Sequence, residues 1–155
     1  MRIYAHRGNV KGPCPQENSP DLLRQTLEEG FGVEVDVWEA DGAYFFGHDR
    51  PTYPVDLAEF DLPEVVFHLK TPHVPALRHA DAFAIDTDRY SLTLRGWLWT
   101  NYGEPAGPAA IMCAPDLVAN EEPLEAFVSR SRRAHGICTD FPRRVIRILD
   151  DQKGS

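Results

Sequence analysis

The short runs Val65-Val66-Phe67 and Ala84-Ile85 are apolar at every position, so neither face of the strands they form can meet water. Strands buried on both sides belong to a parallel sheet, covered by helices on one side and closed around a barrel interior on the other. Similar β-rich runs at Arg2–His6, Gly32–Val37, Glu64–Leu69, Ala82–Asp86, Gly96–Trp99, Ala110–Cys113 and Gly136–Thr139 give seven candidate strands. Between them, Pro20–Glu29 reads as a helix. Ser19 caps it, Pro20 suits its first turn, Leu22, Leu23 and Leu27 form its apolar stripe, and Gly30 stops it. Glu122–Arg133 is a second helix, and Arg143–Asp150 a third, entered through Pro142 with Val145, Ile146 and Leu149 on one face. Leu57–Pro63 and Thr71–Asp81 are broken by proline and allow only short helical turns.

Alternating β and α units in this order define an α/β protein. An eight-stranded α/β barrel takes about 250 residues, whereas this chain has 155. The expected architecture is therefore a compact, trimmed TIM-type (β/α) barrel, closed or nearly closed, with an incomplete outer helical ring. Residues 1–150 form one domain, with no repeat, low-complexity tract or linker, and 151–155 read as a flexible tail.

The balance of 16 basic and 24 acidic side chains leaves a net charge of −8, which repels a nucleic-acid backbone, and no basic run interleaved with aromatics relieves this locally. Nucleic acid is excluded as a partner on that ground. No apolar stretch approaches 20 residues, so stable membrane insertion is not expected, and the N-terminus lacks the pattern of a signal peptide. Cys14, Cys113 and Cys138 are widely spaced and form neither a disulfide framework nor a zinc motif. A reduced, cytoplasmic setting fits these features.

The chemistry-bearing residues lie mostly in residues 6–49. In a strand, residues two apart share a face, so Glu34 and Asp36 project together while Val33, Val35 and Val37 face the helices. Two adjacent carboxylates repel unless one takes a proton or a divalent cation joins them. The alternative is a pair of edge carboxylates salt-bridged to Arg or Lys. By the same alternation His68 and Lys70 point to the same interior, where Lys70 can offer charge to a phosphate and His68 can ligate metal, transfer protons or hydrogen-bond the carboxylates. His6 ends the first strand, at the rim where barrel active sites lie, and Arg7 follows with a guanidinium suited to phosphate oxygens. Asp41-Gly42 signals a hairpin whose returning arm, Ala43–Phe46, brings Gly47-His48-Asp49 toward that rim. Two histidines there can divide the proton transfers of a displacement at phosphorus, and Asp49 either orients its neighbour or, as the favoured reading, caps the turn. His73, His79 and His135 read as surface or helix-end residues, and Trp97 and Trp99 as packing.

Taken together, Ala5-His6-Arg7-Gly8, Glu17-Asn18, Glu34-Val35-Asp36-Val37, Asp41-Gly42, Gly47-His48-Asp49, His68-Leu69-Lys70 and the closing Gly136-Ile137-Cys138-Thr139-Asp140-Phe141-Pro142 resemble the glycerophosphodiester phosphodiesterase family. The chain looks like a compact member of the wider phosphatidylinositol-phospholipase-C-like phosphodiesterase superfamily. The resemblance implies that His6 and His48 are the acid/base pair, that Arg7 holds phosphate, that Glu34 and Asp36 bind Mg2+ or Ca2+, and that Asn18 reaches toward the same site. It also implies a small phosphodiester substrate whose own neighbouring hydroxyl attacks phosphorus. The family has Glu-x-Lys on the third strand where this chain has His68-Leu69-Lys70, so His68 as a ligand shifts preference toward a transition metal. The family's inserted substrate-binding region is absent, which implies a more open site. The competing expectation is a non-catalytic phospho-ligand-binding domain that keeps Arg7 and Lys70 but has lost productive metal binding. A pure binder has no need of two proton-transfer groups, and both are kept.

Overall fold

The computed structural model describes residues 1–71, 77, 80–84, 90–100, 107–114 and 123–153. In chain order these form β1 (Arg2–His6), α1 (Pro20–Glu28), β2 (Gly32–Ala40), β3 (Ala43–Phe46), β4 (Tyr53–Pro54), β5 (Val65–Leu69), β6 (Asp81–Phe83), β7 (Tyr90–Leu92), β8 (Leu98–Thr100), β9 (Ala110–Cys113), α2 (Leu124–Arg130), β10 (Gly136–Thr139) and α3 (Pro142–Asp151). A 3-10 turn at Leu57–Glu59 follows β4.

The sequence demands parallel pairing, and the sheet supplies it. β6, β5, β2, β1, β10, β9 and β8 lie side by side in that order, each neighbouring pair parallel. β7 runs antiparallel beside β8, and β3 and β4 continue antiparallel from the upper half of β2. With three helices among the described residues, this mixed sheet is a half-barrel of TIM type. The complete ring expected from the strand count is not made by ladder pairing among those residues. Between the segments that carry β6 and β7 there are instead isolated bonds, from the Leu94 N–H to the Ala82 carbonyl, from the Ser91 hydroxyl to the Ala84 carbonyl and from the Arg95 N–H to the Asp81 carboxylate, each 3.1 Å.

Several boundaries differ from the sequence reading, each for a local reason. Gly96, with φ +87°, belongs to the β7–β8 turn, so β8 begins at Leu98 rather than Gly96. β6 starts at Asp81, and Ile85 and Asp86 lie outside the described residues, as do Glu122, His73 and His79. α3 packs through Val145, Ile148 and Leu149, an i, i+3, i+4 set, and this phase leaves Ile146 40% exposed instead of buried. The same helix runs through Asp151, into the segment expected to be tail. β4 and β7, of two and three residues, were too short to leave a periodic signal. The Asp41-Gly42 hairpin is formed as expected, with φ of +52° and +78° at its two central residues.

Three apolar clusters hold the architecture. Val33, Val35 and Val37 of β2 pack with Leu23 of α1 and Phe67 of β5, while Phe127 and Val128 of α2 and Val145 of α3 cover β9 and β10. The barrel interior is filled by Tyr4, Val66, Phe83, Trp99, Ile111, Cys113 and Cys138. Tyr4 fits there because its strand neighbours have no side chains: a Cβ on Gly32 would sit 2.5 Å from the Tyr4 ring, and one on Gly136 would sit 2.9 Å from it. Gly32→Ala is therefore expected to destabilise the fold by about 1–3 kcal/mol, the usual cost of overpacking. Urea titration of both proteins measures it, and an unchanged midpoint would show that Tyr4 can move aside.

Candidate active site

Parallel strands place their C-terminal ends at one rim, and that is where the polar side chains of β1, β2, β5 and β10 converge. Glu34 and Asp36 are each 1% exposed on the interior face of β2, opposite the valines that meet α1. Asn18, held in a left-handed conformation with φ +63°, fixes Asp36 from both sides: its Nδ2 donates to Oδ2 and its Oδ1 accepts from the Asp36 backbone N–H, both at 3.0 Å. Thus Asn18 does reach the site, as a support for Asp36.

Cations surround the carboxylates. Arg7 Nε lies 3.2 Å from Asp36 Oδ2 and its Nη1 donates to Glu17 at 3.1 Å, while its backbone N–H donates to Glu34. Lys70 Nζ lies 3.3 Å and His68 Nδ1 3.0 Å from Asp36 Oδ1, and His68 is 3.7 Å from Glu34. Burial favours the neutral form of Asp36, but His68, Lys70 and Arg7 outweigh it and hold the carboxyl well below the usual range. Glu34 goes the other way. Burial and the charge of Asp36 raise it, and His6, His68 and Arg7 only partly offset this. The two carboxyls are thus split, one ionised and the other drawn toward protonation.

His6, 9% exposed at the end of β1, pairs through Nδ1 with Asp140 Oδ1 at 3.0 Å. Its Nε2 lies 3.9 Å from Glu34. Burial alone would lower the imidazole pKa, yet the Asp140 bond and the charge of Glu34 raise it to about 9. Asp140 is itself held by Asn9, whose Nδ2 donates to the same Oδ1 at 2.7 Å and to Glu17 at 2.8 Å. Glu17 and Asp140 stand in the motifs that carry the resemblance but have no role assigned from the sequence, and Asn9 is not among them. For Asp140 a usable signal existed, since it directly follows the last parallel strand, level with His6.

The structure brings His6, Arg7, Asn18, Glu34, Asp36, His68 and Lys70 into one cluster, and leaves His48 on its margin. The His48 side chain is 42% exposed on the loop after β3, with Nδ1 2.6 Å from Asp49, so Asp49 pairs with the ring rather than capping the turn. Inside, His68 stacks on Phe83 at 4.8 Å and Phe83 on Trp99 at 4.4 Å, which fixes the His68 ring plane. Trp99 is packing, as expected; Trp97 stacks on His135, which is half-buried rather than on the surface.

One donor atom from each of Glu34, Asp36 and His68 lies within 4.8 Å of the others. The set suits a divalent cation for two reasons. Asp36 Oδ1 is buried and, though His68 and Lys70 lie close to it, accepts no hydrogen bond of good geometry, and the burial and repulsion that raise Glu34 are what a shared cation would relieve. Two carboxylates and an imidazole are a donor set that a divalent cation can take.

The fold and the rim cluster define a TIM-type half-barrel with a carboxylate and imidazole site at the C-terminal ends of its strands. No family model and no curated protein matches the chain. Among solved structures, a glycerophosphodiester phosphodiesterase from Parabacteroides distasonis shares its fold, with a TM-score of 0.58 at 16% identity over 98% of each chain. That likeness is one of fold.

Proposed function

We propose that this chain is a metal-dependent phosphodiester hydrolase acting on a small glycerophosphodiester-like substrate through attack of a neighbouring hydroxyl. The observation that carries the reading is the convergence of an Asp-paired imidazole, two phosphate-seeking cations and a three-donor cation site at one barrel rim, in a fold shared with a glycerophosphodiester phosphodiesterase. Arg7 and Lys70 bind the phosphate oxygens. His6, steadied by Asp140, and His48 at the margin divide proton removal from the attacking hydroxyl and proton delivery to the leaving alkoxide. Glu34, Asp36 and His68 hold the ion, which when bound polarises the phosphoryl oxygen and lowers the pKa of the nucleophile. The exposure of His48 favours one alternative, a phospho-ligand-binding domain without turnover.

Phosphorus NMR of a glycerophosphodiester incubated with the protein and Mg2+, Ca2+ or Mn2+ separates the two. Appearance of glycerol phosphate or a cyclic phosphate supports the hydrolase, and line broadening without product supports the binder. For the ion, Asp36→Asn is expected to stay folded and to weaken Mn2+ binding at least tenfold, by calorimetry. Equal affinity in both proteins would put any ion elsewhere.

A further inference from the structure

We infer that Trp38 is a positioning residue that clamps the His48 loop to the rim of the site, an inference that rests on the proposed function and gives His48, of the two histidines there, the proton delivery to the leaving alkoxide. Trp38 follows Glu34 and Asp36 on the same face of β2, two residues further toward the rim, and is half-buried there. Its indole Nε1–H donates to the Gly47 carbonyl at 2.5 Å. The Gly47 N–H in turn donates to the Asp36 carbonyl at 3.2 Å. Gly47 is therefore held on both its amide and carbonyl sides by β2, the strand that carries the carboxylates, immediately before His48.

The residue type at position 47 agrees with a tight clamp. Gly47 has φ +150°, and a Cβ there would collide with the Arg50 carbonyl and lie 2.7 Å from the Thr52 hydroxyl. The Thr52 N–H closes the loop by donating to the Phe46 carbonyl at 3.0 Å. Among the described residues the His48 ring itself is paired with Asp49, and the indole bond joins the two backbone bonds above in fixing the peptide from which that ring projects. A 1 Å error in the position of a proton donor is enough to cost much of its effect.

The test separates positioning from structure by the leaving group. An alkoxide needs a proton as it departs, whereas p-nitrophenolate does not. Trp38→Phe keeps an aromatic ring at the position paired with Phe45 in the β2–β3 ladder and removes the N–H together with the five-membered ring that carries it. On a glycerophosphodiester with an alkyl leaving group, Trp38→Phe should lower kcat about tenfold with KM little changed, the scale of one lost positioning hydrogen bond. On the p-nitrophenyl counterpart it should leave kcat unchanged. Equal losses on both substrates, or no loss on either, would overturn the inference. If His48→Ala shows no dependence on leaving group, the assignment of His48 as acid fails first, and the clamp's role with it. Independently of any variant's folding, hydrogen exchange on the wild type reads the bond: of the three tryptophans, the Trp38 indole N–H should exchange slowly although its side chain is only half-buried. Rapid exchange of that proton would equally overturn the clamp.

Discussion

Changing either His6 or His48 to Ala is expected to lower turnover of a hydroxyl-bearing phosphodiester by roughly 10²- to 10⁴-fold, the usual contribution of a placed general acid or base. The two positions differ greatly in setting. His6 is buried at the end of β1 and paired with Asp140, whereas His48 sits exposed on the β3–β4 loop and pairs with Asp49. Despite that difference, the double change should cost little more than the worse single one, because groups that act as a unit are not additive. A phosphodiester without a neighbouring hydroxyl should be inert even to the unmodified protein if attack is internal. Rapid hydrolysis of that compound would defeat the mechanism. Full activity after either single change would defeat it equally and favour the binding domain.

The inward face of the barrel was legible because strand alternation is a rigid rule. Val33, Val35 and Val37 pointing to α1 force Glu34 and Asp36 inward, and Phe67 and Leu69 do the same for His68 and Lys70. Ser19, Pro20 and Gly30 marked α1, and Asp41-Gly42 marked the hairpin, through backbone chemistry that acts locally. What escaped depends on partners far away in sequence. The His6–Asp140 pair joins residues 134 apart, and its one local sign is that each residue stands at the end of a parallel strand. The phase of α3 escaped for a similar reason, since Ile146 and Ile148 are equally apolar and only the sheet beneath decides which is covered. Exposure of His48 was likewise invisible, because the turn signal fixes the direction of the returning arm and not the rotamer at its end.

Asp140→Asn is expected to lower turnover roughly a hundredfold while leaving the fold intact, and the reason lies in which atom is shared. Oδ1 of Asp140 accepts from both Asn9 Nδ2 and His6 Nδ1. With Asn9 donating there, an asparagine must present its own oxygen in the same place, so both hydrogen bonds survive and only the negative charge is lost. Without that charge the imidazolium form of His6 is no longer stabilised, and the proton affinity that its transfers depend on is lost. The same change has a signature in stability. In the folded protein His6 has its pKa raised from 6.5 to about 9, so its contribution is fully present below pH 6.5 and is lost as pH rises through 9. Unfolding free energy of the unmodified protein should therefore fall over that interval, by at most ~3 kcal/mol for a shift of this size. In Asp140→Asn burial outweighs what remains, the pKa drops, and that fall should largely disappear. Urea unfolding at about pH 6 and about pH 9.5 on both proteins decides it. Equal pH dependence in the two would mean that Asp140 does not hold the proton on His6, and the lost turnover would then need another cause.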